Sequence, residues 1–109
     1  MKNATLVYIC APYRAPTKNE IKENIRFANV AASLIAAWND NVIPVIPHNL
    51  FPSNIFENKK TEKWFLDATL EIMKRCDVVA IATLYNVISA GMRAEIKEAK
   101  KLKMKIINI

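Results

Sequence analysis

The run Asp77-Val78-Val79-Ala80-Ile81-Ala82 narrows most what this chain can become. One polar residue followed by five apolar ones, with no polar/apolar alternation, does not make a strand with a wet face. It is the pattern of a strand covered on both faces, as in the middle of a parallel sheet. Such a strand needs helices on each side, so the neighbouring segments should carry the helical period. From Glu20 to about Trp38, apolar Ile21, Ile25, Ala28, Ala32, Ile35 and Ala36 recur every three or four residues, while Lys22, Glu23 and Arg26 face outward. Thr17 and Asn19 stand where a helix cap is needed.

The remaining elements follow from the same signals. Ala4 to Cys10 reads as the first strand, stopped by the segment Ala11 to Pro16, whose two prolines preclude regular continuation. Val42 to Ile46 reads as the second strand, and Pro44 places it at a sheet edge because proline cannot donate to the ladder. Asn49 to Lys60 has no sustained period and is expected to be a flexible lid. Thr61 caps a helix running to Lys74, with Trp64, Phe65, Ala68, Ile72 and Met73 as core contacts and Glu62 favourable in the first turn. A last helix covers about Met92 to Leu102, and Met104 to Ile109 supplies the final strand. The order is β-α-β-α-β-α-β, which predicts an α/β fold: a small doubly wound parallel sheet of four to five strands, flavodoxin- or Rossmann-like.

Composition limits the function classes. The 109 residues suit a single domain. No apolar stretch approaches the roughly 20 residues of a membrane span, and no signal-peptide core precedes Tyr8, so a soluble cytoplasmic protein is expected. Cys10 and Cys76 sit in apolar surroundings that suit free thiols in a reducing compartment. The net charge of +6 favours an anionic partner. Much of that excess is Lys97, Lys100, Lys101, Lys103 and Lys105, which read as a solvated helix face, and neither a zinc-type spacing nor an RNA-binding signature is present. Nucleic acid, metal and cofactor are therefore not expected.

In parallel sheets ligands bind beyond the carboxyl ends of the strands. That rule selects Ala11 to Thr17, Pro47 to Lys60, Thr83 to Gly91 and the start of the last helix. Gly91, the sole glycine, marks either a close backbone approach, a positive φ angle or relief of crowding at the helix start. Ser89 beside a helix N-terminus makes an anion site available. Glu95, four residues after Gly91, is either a catalytic acid facing that site or a charge that stabilises the helix start. Arg14 and Arg93 carry planar forks suited to phosphate or carboxylate, and equally suited to the surface. His48 can titrate near neutral pH or donate to a ribose or base.

Several of these segments, in order, resemble a known family. Tyr8-Ile9-Cys10-Ala11-Pro12-Tyr13-Arg14 is similar to the Tyr-x-x-Gly-Pro-Tyr-Arg type of opening of the nucleoside 2-deoxyribosyltransferase-like superfamily. Asn24 and Ala28 on the first helix, Pro47-His48 after the second strand and Cys76-Asp77-Val78-Val79 at the third fit the same order. Ser89-x-Gly91-x-x-x-Glu95 resembles the family segment in which the glutamate is the nucleophile. The resemblance implies cleavage or exchange of the N-glycosidic bond of a 2′-deoxynucleoside or its 5′-monophosphate, through a glycosyl ester on Glu95. It implies that Tyr13 positions Glu95 or bonds the sugar, that Ser89 and the Gly91 amide hold a 5′-hydroxyl or 5′-phosphate, and that Asp67 supplies a second carboxylate. Arg14, Asn24, His48 and Arg93 would complete the substrate site. The chain departs from the pattern at Ala11, where glycine is usual, and between Thr83 and Ile88, which hold no acidic residue. The resemblance also implies a homo-oligomer, a dimer or higher, with a neighbour completing the pocket. A non-catalytic module that senses or sequesters a nucleotide would use the same residues without Glu95 chemistry.

Overall fold

A computed structural model describes residues 1, 3–51 and 61–109. Four parallel strands, β1 (Thr5–Cys10), β2 (Val42–Val45), β3 (Val78–Ile81) and β4 (Lys105–Asn108), lie in the order β2-β1-β3-β4. Three helices connect them: α1 (Lys18–Trp38), α2 (Glu62–Met73) and α3 (Ala90–Lys101). This is the expected α/β fold, a doubly wound sheet of four strands. Residues 52–60 of the expected lid lie outside the described residues.

The alternation of side chains along β1 and β3 builds two cores. Val7, Ile9 and Ala11 point to one face with Ala80 and Ala82, where Ala28, Ala31, Ala32 and Ile35 of α1 cover them. Tyr8, Cys10, Val79 and Ile81 point to the other, beneath Met73 of α2 and Met92 and Ala99 of α3. Each fully buried aliphatic side chain contributes about 1.5–3 kcal/mol, so these two interior strands anchor the molecule. Pro44 sits on β2, an edge strand, opposite Val7. Its missing N–H costs the ladder little there.

Hydroxyl caps set the helix starts. Thr17 accepts from Glu20 N at 3.1 Å, Thr61 from Trp64 N at 3.0 Å and Ser89 from Met92 N at 3.2 Å. Each such cap stabilises its helix by about 1 kcal/mol. Because Ser89 is the cap, α3 begins two residues earlier than the apolar period indicates, and Gly91 falls inside its first turn. Two core expectations are corrected: Ala36 is exposed on α1, and Trp64 is exposed on α2, edge-on to Phe51 at 5.8 Å. No described helix is long and apolar enough to cross a membrane, and Cys10 and Cys76 are both free.

Candidate functional site

β1 and β3 are neighbours whose following helices lie on opposite faces of the sheet. The connections diverge at their carboxyl ends and leave a crevice, the place where open α/β sheets bind ligands. A cavity of about 620 Å³ occupies it. The β1–α1 segment contributes Ala11, Tyr13 and Arg14, the end of β2 contributes Pro47 and His48, and the first turns of α2 and α3 close two sides.

Glu95 forms part of the cavity wall and is only 7% exposed. With Met92 and Ala99 it makes the inward stripe of α3, since residues three and four apart share a helix face. Its carboxylate accepts the O–H of Tyr8, which rises from β1 beneath it. Cys10, two residues on and on the same face, lies against α3 at 3.9 Å from the Met92 carbonyl. Burial pushes Glu95 up from its ordinary 4.5 to about 7, although hydrogen bonds from Tyr8, Cys10 and Thr69 pull it back down. Burial, and next the Glu95 charge, push the Tyr8 phenol and the Cys10 thiol far above their ordinary values. Both therefore stay protonated, and Tyr8 acts as a donor to a carboxylate that titrates near neutrality, a placement suited to acid, base or nucleophilic work.

An aromatic wall faces this floor. Tyr13 stacks on Phe65 with ring centroids 5.4 Å apart and meets His48 edge-on at 5.3 Å. Phe51 packs on Phe65 at 4.7 Å. Asn24 is not in the cavity lining; its amide donates to the Tyr13 carbonyl at 3.0 Å and so fixes the segment that carries Tyr13 and Arg14.

The other expected residues divide. Ser89 and Gly91 line the cavity at the N-terminus of α3. Gly91 has no positive φ, and a Cβ built on it meets nothing within 4 Å, so neither a left-handed backbone nor crowding explains it. What remains is open space on the cavity side. Arg14 pairs with Glu62 at 2.9 Å at the mouth. His48 Nε2 donates to the Pro12 carbonyl at 2.9 Å, its Nδ1 is buried without a partner, and burial lowers its pKa. Donation from His48 to a ligand is thus replaced by a neutral ring that ties the end of β2 to the β1–α1 segment. Arg93 is exposed, near the Ile88 carbonyl, and outside the lining.

Asp67 requires correction. It sits on the outer side of α2 in an ion pair with Lys63 at 2.9 Å, away from the cavity, and the structure does not bring it to Glu95. The α2 residue beside Glu95 is Thr69. The tyrosine that reaches Glu95 is Tyr8 rather than Tyr13. A signal for Tyr8 existed: a phenol inside an otherwise apolar buried strand must find a hydrogen-bond partner.

A family model described as "Domain of unknown function (DUF7768)" matches residues 5–109, and the chain belongs to that family. No curated protein matches the sequence.

Proposed function

We propose that the cavity binds a nucleoside or nucleoside 5′-phosphate and that Glu95 cleaves or transfers its N-glycosidic bond. One observation carries the reading: a buried carboxylate, held by a phenol and titrating near 7, faces a crevice at the carboxyl end of a parallel sheet. The ionised Glu95 attacks the anomeric carbon as the base departs, and its charge stabilises the oxocarbenium character that develops on the sugar. The resulting ester passes the sugar to water or to a second base. The Tyr8 O–H orients the attacking oxygen. Ser89 and the free N–H groups at the start of α3 receive a 5′-hydroxyl or 5′-phosphate, where the helix dipole favours negative charge. Cytoplasmic residence fits the two free thiols.

A second reading, a nucleotide-binding module without turnover, draws support from Asp67, whose outward placement leaves Glu95 without a second buried carboxylate among the described residues, a group that retaining cleavage ordinarily uses. Incubation with a panel of 2′-deoxynucleosides and their 5′-monophosphates, with free base read by chromatography, separates the two. The enzyme reading expects release by the wild type and almost none by Glu95→Gln. Tight binding with no release from any member of the panel would establish the binding module instead.

A further inference from the structure

We propose that the site is specific for nucleosides whose base is already cationic, a pyridinium or an N7-alkylated purine, so that the base departs as a neutral molecule without a proton from the protein. This rests on Glu95 as the nucleophile.

Three features of the cavity lead to it. The first is the proton supply. A neutral base leaves well only if an acid protonates it, and retaining enzymes place that second carboxyl about 5–5.5 Å from the nucleophile. Here the side chain that hydrogen-bonds Glu95 is a phenol, Tyr8, and the other polar groups beside the carboxylate are the Cys10 thiol and the Thr69 alcohol. The phenol and thiol are held far above their ordinary pKa, so neither surrenders a proton near neutrality. The Thr69 hydroxyl donates to the Leu66 carbonyl at 2.9 Å. Among the described residues the one other carboxylate in the lining is Glu62, which is exposed at the mouth and paired with Arg14. The His48 proton is engaged by the Pro12 carbonyl.

The second is the wall. The Tyr13 and Phe65 rings are nearly parallel in their stack, 12° apart, and Phe51 packs on Phe65. Such faces attract a flat cation through the ring quadrupole by about 0.5–2 kcal/mol. The third is the balance of charge. His48 is held neutral in this wall, and Arg14 and Lys63 at the mouth are each ion-paired, with Glu62 and Asp67 respectively. The pairing weakens their repulsion of a cationic ring.

The step balances without an acid. A Glu95 oxygen forms a bond to the anomeric carbon, the carbon–nitrogen bond breaks, and its electron pair cancels the positive charge of the base. Water then cleaves the ester, giving free sugar, the Glu95 carboxylate and one proton released to solvent.

The test uses the wild-type protein with a matched pair, 7-methyl-2′-deoxyguanosine and 2′-deoxyguanosine, and with nicotinamide riboside as a second cationic probe. Base release is measured above the buffer rate. A general acid is worth about 10²- to 10⁴-fold, so its absence predicts kcat/KM for the methylated nucleoside at least about 100-fold above that of its neutral partner. Release of the two guanines within threefold of each other would overturn the inference and leave the glycosidase reading standing. No release from any probe would overturn both.

Discussion

Glu95→Gln offers a test of the buried carboxylate through stability alone. In the unfolded chain Glu95 ionises near its ordinary 4.5, and in the fold only near 7, because burial disfavours the charge. Between those values the folded state binds more protons than the unfolded one. Stability from this group is therefore full below about pH 4.5 and is lost as pH rises through 7. At about 1.4 kcal/mol per pH unit, the difference between 4.5 and about 7 accumulates to about 3 kcal/mol. Glutamine keeps the shape and a carbonyl for the Tyr8 O–H, but it has no proton to lose. Urea unfolding of both proteins at pH 4.5 and pH 8 isolates the effect, since every other titrating group cancels in the comparison. The wild type should lose about 3 kcal/mol more than Glu95→Gln across that interval. Parallel losses in the two proteins would refute a carboxylate held at about 7 by burial.

Three further outcomes follow from the same geometry. Tyr8→Phe removes the donor that lowers the Glu95 pKa, so the midpoint of activity against pH should rise from about 7 by roughly one pH unit, as a charge-assisted bond of about 1.5 kcal/mol requires; an unmoved midpoint would contradict the contact. Ser89→Ala should weaken a 5′-monophosphate more than the matching nucleoside in calorimetric titration, and should also cost about 1 kcal/mol of stability through the lost Met92 cap; equal affinity losses would argue against phosphate at this helix start. Val30, Leu34 and Trp38 repeat at four-residue spacing on α1, and all are more than half exposed. Light scattering at micromolar concentration is accordingly expected to give a multiple of the 12.4 kDa chain mass, and the mass of one chain would reject a homo-oligomer.

The parts of the molecule legible in the sequence are those fixed by local rules. The apolar run Val78 to Ala82 could only be an interior strand, Pro44 could only be tolerated at an edge, and Thr17 and Thr61 each precede a helical period with the hydroxyl a cap needs. The site was harder to read because it depends on rotation about an element's axis. Asp67 and Thr69 are two residues apart on α2, about 200° around a helix, so whichever faces the cavity turns the other outward. Sequence alone does not set that angle; the packing of Met73 against the sheet does. Tyr8 and Tyr13 pose the same difficulty in another form. One is aimed at α3 by the strict alternation of β1, and the other is swung onto Phe65 after the strand ends. His48 was visible as a residue but not as a role, which the Pro12 carbonyl decides.

In the proposed reaction Glu95 carries the sugar. Mass spectrometry of the protein quenched in acid during turnover, followed by peptide mapping, tests it most directly. The peptide containing Glu95 should gain the mass of one glycosyl group, Glu95→Gln should gain none, and the adduct should disappear when water or an added base completes the reaction. Base release with no adduct at Glu95, or an adduct on any other residue, would contradict it.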